Sequence, residues 1–227
     1  MVAIVKPGIL IVVAASALAA CSAGDDAASE TVAVYGDMET LPVEFRVAFM
    51  SGHVEAGLAL YRAGAPEQAA PHLLHPVSET HAAEREGIDA LGFEAGVFEE
   101  VSAALGAGRP ANEIEPMLAA AEADLALLQD NAGGDARAII AYLMDVTAEE
   151  YAIGVTDGIV TDPGEYQDAY GFSVVARQYA RGLDNPDLID ALDGLIALWP
   201  EGGPLPESTP APVADINARI AEVRSIL

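Results

Sequence analysis

The chain has four histidines in 227 residues, and His53, His72, His75 and His81 all fall in one short stretch. A neutral imidazole is a nitrogen donor to metals and the side chain that most readily changes charge near neutrality. Each of the four on its own suits a surface or hydrogen-bonded core position; their clustering raises the question of whether they converge. Carboxylates at compatible spacing are Glu79, Glu84 and Glu150. The segment around Pro76 offers two incompatible sets of partners. A helix continuous past Pro76 puts Val77, His81, Glu84, Ile88, Leu91 and Ala95 on the inward stripe, so His81 and Glu84 enter the core as an i, i+3 pair. In the other set His72, His75 and Glu79 share a face, which an unbroken helix turns outward and a bend at Pro76 can turn back. Glu150 falls beside Ile139, Leu143 and Val146 on the inward half of its helix, and Glu149 points outward. An inward Glu among inward His residues is how bundles build carboxylate–histidine sites, although pairing with an arginine accounts for Glu150 equally. The candidate metal ligands are therefore His53, His72, His75, Glu79, His81, Glu84 and Glu150. Such donors, without sulfur, fit iron or zinc and do not choose between them.

The elements that must position these residues are helices. Apolar residues recur with helical period, and the breaks coincide with Pro and Gly clusters. The expected helices cover about Leu41–Arg62, Pro66–Leu105 with bends at Pro71 and Pro76, Pro110–Gly133, Asp135–Ile159, Pro163–Arg181, Pro186–Trp199 and Val213–Leu227. A proline-rich loop occupies 200–212. No alternating β-branched run is long enough for a core strand. Short connections between long amphipathic helices predict an all-α fold, an up-and-down bundle or related array of six to seven helices. On the first helix, 100° per residue places Glu44, Ser51, Glu55 and Arg62 on one polar stripe, with His53 nearly opposite among Phe49, Ala56 and Leu60. His53 thus points inward, and a chain reversal near Ala65 sets it level with residues near 77.

The first twenty residues carry Lys6, an apolar run from Gly8 to Leu18 and small residues up to Cys21, the pattern of an export signal rather than a fold element. The ending Leu18-Ala19-Ala20-Cys21 resembles a lipobox, which makes Cys21 a lipidation site, residues 1–20 a cleaved signal, 21–38 a tether and 39–227 a single helical domain. The expected location is the periplasmic side of a bacterial envelope, and Ser22 points to the outer membrane. Cys21 is the only cysteine, so acylation leaves no thiol for a disulfide, thiolate site or cysteine catalysis. A formal charge of −26, from 36 acidic against 10 basic residues, repels nucleic acid and anionic lipid headgroups. The expected partners are a membrane reached through the lipid, a metal ion and an envelope protein.

Tyr151-Ala-Ile-Gly-Val-Thr-Asp-Gly-Ile-Val-Thr-Asp-Pro-Gly-Glu165-Tyr166-Gln167 resembles a segment of the periplasmic helical domain fused to FTR1-type iron permeases, where a helix runs into a similar Asp-Gly turn and a following Glu-Tyr. Imelysin-like proteins, also linked to iron uptake, share the helical build. Their Gly-x-His-x-x-Glu motif is split here between Gly52-His53 and His81-Ala-Ala-Glu84, so their ligands do not transfer as a set. The resemblance implies a lipoprotein that binds or hands on a metal ion in iron uptake. Gly57, Tyr61, Gly64, Ala69 and Leu73 support another reading, a tetratricopeptide-like interaction module, although no second copy follows 34 residues on. An enzyme using an inward His and Glu as base and acid is a third reading; no nucleophile motif, phosphate loop or His-Glu-x-x-His pattern accompanies those residues.

Overall fold

The structure is a computed structural model and describes residues 40–78, 85 and 87–227. Cys21, the tether, Glu79, His81 and Glu84 lie outside the described residues. Among those described, eight α-helices follow in order: α1 (Val43–Arg62), α2 (Pro66–Leu74), α3 (Ala95–Gly106), α4 (Ala111–Ala132), α5 (Ala136–Gly154), α6 (Pro163–Arg181), α7 (Pro186–Ile196) and α8 (Val213–Ile226). The fold is all-α, as the periodicity requires. Starts follow local chemistry. Asp135, Asp162 and Asn185 cap α5, α6 and α7 by accepting from the amides of Arg137, Gly164 and Leu188, which satisfies amides the first turn leaves open. Proline at the first position of α2, α6 and α7 has no amide hydrogen to waste there.

Two expectations are corrected. The single helix from Pro66 to Leu105 is instead α2, a 3-10 turn at His75–Val77, a second at Asp89–Leu91, and α3. Pro76 cannot donate back to His72, so the α-helix ends at Leu74 and tightens. The helix expected to reach Ile159 stops at Gly154. Val155–Thr156 and Ile159–Val160 then pair antiparallel, joined by Asp157-Gly158, both with positive φ (53° and 77°). That two-residue turn fits the twist of a hairpin, and the β-branched residues on either side favour strand over helix.

Helix α1 is central. It packs against α2, α4, α5 and α6, and every residue from Arg46 to Val54 is buried. The middle of the polar stripe expected along it is therefore enclosed, while Arg62 at its end is exposed. Ser51 is fully buried; it donates to the Val47 carbonyl at 2.7 Å and accepts from Gln129. Glu55 is half-buried rather than solvated, and it accepts from Gln178 at 2.7 Å. Two apolar clusters flank α1. Val47, Met50, Val54, Leu58 and Leu60 join α2, α3 and α4, while Ala48 and Phe49 join α5 to α8. A helix that sends apolar residues into two clusters belongs in the middle of such an arrangement.

The residues resembling a tetratricopeptide signature explain the α1–α2 hairpin. A side chain at Gly57 would overlap Leu73 and lie 3.2 Å from the Ala69 carbonyl oxygen, so the pattern records close packing of one helix pair.

The tightest crossing is between α1 and α6. A methyl group on Gly171 would overlap the Gly52 carbonyl oxygen and lie 2.9 Å from the Ala56 amide nitrogen, and one on Gly52 would overlap the Phe172 ring. Backbone cannot yield as a flexible side chain does, so Gly171→Ala is expected to destabilise the protein by about 1–3 kcal/mol, as overpacked cores do. Gly96→Ala, in α3 with nothing within 4 Å of the added carbon, should stay within about 1 kcal/mol of the parent or gain stability. Urea unfolding of the two variants side by side checks the difference.

Candidate metal centre

The α1–α6 crossing sets His53, next to Gly52, against Asp168, one turn before Gly171. His53 Nδ1 lies 2.9 Å from Asp168 Oδ1, and His72 Nδ1, from α2, lies 2.8 Å from the same oxygen. All three residues are buried, and one donor atom from each lies within 4.8 Å of the others. His53 is held edge-on by Phe49 and Phe172, with ring centroids at 4.7 and 5.2 Å. His75, half-buried in the 3-10 turn, stacks on the His53 ring at 3.4 Å and 14°. The expected inward direction of His53 is therefore observed; His72 reaches the centre from α2 and His75 from the 3-10 turn that holds Pro76.

The hydrogen bonds and charges around His72 favour its charged form. Gln167 Nε2 donates to Gln68 Oε1 at 2.8 Å, so Gln167 Oε1 is left as the acceptor for His72 Nε2, also at 2.8 Å. With its hydrogen on Nε2, a neutral His72 points the Nδ1 lone pair at the Asp168 carboxylate, also an acceptor. Two acceptors at 2.8 Å require a positive centre between them, either a proton or a metal ion. In the proton form, burial works against the charged imidazolium, but the Asp168 carboxylate outweighs it and raises the His72 pKa. Burial alone would raise the Asp168 carboxyl; the His53 and His72 imidazoles instead hold it far below the usual carboxylate range.

Behind this group lies a concentration of acids. Glu150 on α5 is 4% exposed, as its inward position predicts. Burial first, then its hydrogen bond to Glu165 and the charges of Glu165, Asp168 and Asp162, push its pKa well above the usual carboxylate range, so it holds a proton at neutral pH. Glu149 is half-buried rather than outward, and burial with Glu165 nearby raises its pKa too. The Glu150 carboxyl hydrogen-bonds to another acid, Glu165.

The centre opens onto a cleft of about 570 Å³ lined by His72, His75, Asp168, Gln68 and Gln167 together with Pro71, Leu74, Pro163 and Pro206. The donor set fits a divalent cation. Two imidazoles and a carboxylate, with a further position open to a cleft, match the ligand types used for non-haem Fe(II) and for Zn(II). Gln167 would serve as the outer partner that orients a ligating imidazole.

Residues 132–223 match the iron permease-associated 4-helix bundle domain. The match spans α5 to α8 and bears out the resemblance carried by Tyr151–Gln167. It relates this part of the chain to iron permeases. No curated protein and no solved structure matches the chain. The matched bundle contributes Glu150, Glu165, Gln167 and Asp168, whereas His53, His72 and His75 come from helices outside it. Among the described residues no helix is long and apolar enough to cross a membrane.

Asp168 was not among the residues singled out from the sequence, nor was Gln167. A signal existed: Glu165, Asp168, Phe172 and Val175 follow one another at spacings of 3, 4 and 3, a single helix face, and Phe172 and Val175 mark that face as inward.

The linkage has a definite sign. Because the folded pKa of His72 is raised, its stabilisation is complete below the ordinary imidazole value of about 6.5 and is lost as pH rises through the folded value. In Asp168→Asn the main cause of the elevation disappears while burial persists, so His72 should titrate at lower pH than in the parent. NMR titration of the histidine ring protons reads this directly, and an unchanged His72 pKa would contradict the pairing.

Proposed function

We propose that this protein is an accessory component of bacterial iron uptake, anchored through acylated Cys21 on the non-cytoplasmic side of the envelope, that binds a metal ion between His53, His72 and Asp168 and hands it on. The observation that carries the reading is the convergence of two imidazole Nδ1 atoms on one carboxylate oxygen, at 2.9 and 2.8 Å, with His72 Nε2 already engaged by Gln167. A proton or a metal ion satisfies the contact between His72 and Asp168, and the ligand types are compatible with the second. The match of residues 132–223 to a domain associated with iron permeases favours iron as the cargo. In this reading the protein performs no covalent chemistry. Its imidazoles supply neutral donors, and the carboxylates balance the charge of the ion.

The surrounding acids support the same role. A net charge of −26 raises the local cation concentration around the domain, and Glu150, which keeps its proton, holds a hydrogen bond with Glu165 beside the centre. His75 stacks face to face on His53, so its ring would have to turn before its lone pair could reach an ion held by His53. Glu79, His81 and Glu84 keep their place as candidates on sequence grounds alone.

Calorimetric titration with Fe(II), Fe(III), Zn(II) and Cu(II) is expected to show one ion per chain, with Fe(II) or Zn(II) bound at least micromolar. His53→Ala and Asp168→Asn should each weaken binding about 100-fold, equivalent to about 2.7 kcal/mol, with circular dichroism confirming that the helices persist. Since the ion must displace the His72 proton, affinity should fall as pH is lowered through the His72 pKa. Binding no tighter than about millimolar, or only about 4 kcal/mol, would sink the proposal.

A further inference from the structure

We infer that His75 is the movable cover of this centre: an ion entering from the cleft reaches His53 only when the His75 ring turns aside. The inference rests on the metal-binding reading and adds the residue that controls entry and release.

The three candidate ligands are not equally open. His72 and Asp168 line the cleft, and His53 does not. Only 3% of His53 is exposed. Phe49 and Phe172 meet its ring from the apolar core, with centroids at 4.7 and 5.2 Å, and His75 covers a face of the ring at 3.4 Å and 14°. His75 itself lines the cleft. An incoming ion therefore meets His72 and Asp168 first, and the way to the third donor runs past His75.

The His75 backbone is held at both ends. Its amide donates to the His72 and Pro71 carbonyls, and its carbonyl accepts from the Ser78 amide and hydroxyl, each at 3.2 Å. The motion available is rotation of the ring about its side-chain bonds, and the neighbouring cleft of about 570 Å³ has room for a turned ring. Side-chain rotation is fast, so the cover acts through how often it is open. Stacking of two rings favours the closed arrangement by about two- to tenfold.

A cover and a ligand leave different signatures. A metal bonds to an imidazole in the plane of the ring, at the nitrogen lone pair, whereas His75 lies over the face of His53. The His75 ring can therefore close again over a bound ion. It then slows entry and release alike and leaves affinity nearly unchanged.

The test compares the parent protein with His75→Ala, which removes the ring, and His75→Phe, which keeps a stacking ring without a donor nitrogen. Co(II) association is followed by stopped-flow absorption, release by transfer to excess EDTA, and affinity by calorimetry, with circular dichroism to confirm the helices. In His75→Ala both rates are expected to rise at least threefold while Kd stays within twofold of the parent; His75→Phe should keep the parent's rates and Kd. Rates in His75→Ala equal to the parent's overturn the inference. So does a Kd at least tenfold weaker in both variants with association unchanged, which makes His75 a ligand and leaves the metal site standing. Should His75→Ala fail to fold, His75→Phe decides: parent-like kinetics support the cover, and lost affinity overturns it. A parent protein that takes up no Co(II) defeats the metal reading and this inference with it.

Discussion

The close crossing of α1 and α6 is the contact on which the rest of the structure depends. Helices carrying larger side chains pack with axes about 8–10 Å apart. Gly52 and Gly171 remove the side chains at the point of contact and allow backbone to meet backbone, leaving no room for a methyl group at Gly171. The neighbouring residues inherit this geometry. His53 follows Gly52 in the chain, Asp168 precedes Gly171 by one turn, and their short separation of 2.9 Å is a consequence of how near the two helices come. The Phe172 ring fills the space over Gly52 and also steadies the His53 imidazole.

A second constraint is electrostatic. Burying Asp168 beside two imidazoles is tolerable only if positive charge resides among them, since an unpaired buried carboxylate costs several kcal/mol. Glu150 meets the same problem differently, keeping its proton and sharing a hydrogen bond with Glu165. The same interior therefore holds one carboxyl forced to ionise and another forced to stay neutral, a few residues apart in space. Neighbouring groups with pKa values pushed in opposite directions are a hallmark of sites built for binding or proton transfer rather than for stability alone.

The two halves of the chain contribute different chemistry. The bundle α5–α8, which matches the iron permease-associated domain, supplies the acids and the orienting amide of Gln167. The helices before it supply every imidazole of the centre. Neither half alone supplies both the imidazoles and the carboxylate of the His53–His72–Asp168 centre. Helix α1, shared by both apolar clusters, joins the two sets, so packing of the core and assembly of the centre are a single event.

The helical class, most element boundaries and the inward direction of His53 and Glu150 were legible in the sequence, because each depends on local periodicity and on Pro, Gly and capping residues at segment ends. The hairpin at Val155–Val160 was legible in principle from Asp157-Gly158 between β-branched residues, but the helical pattern running into it concealed the change. The ligand set was only partly legible. Periodicity tells which face of one helix is buried, not which face of another helix it meets. His72 and Asp168 are 96 positions apart, and their meeting depends on the approach of α2 and α6 to α1. The burial of Ser51 and Glu55 escaped for the same reason, since a polar stripe reads as solvent-facing until neighbours close over it. Local sequence determined which helices form and which residues point inward; tertiary packing decided that the histidines of one half meet the carboxylate of the other, because that depends on how closely two glycine-bearing helices can approach.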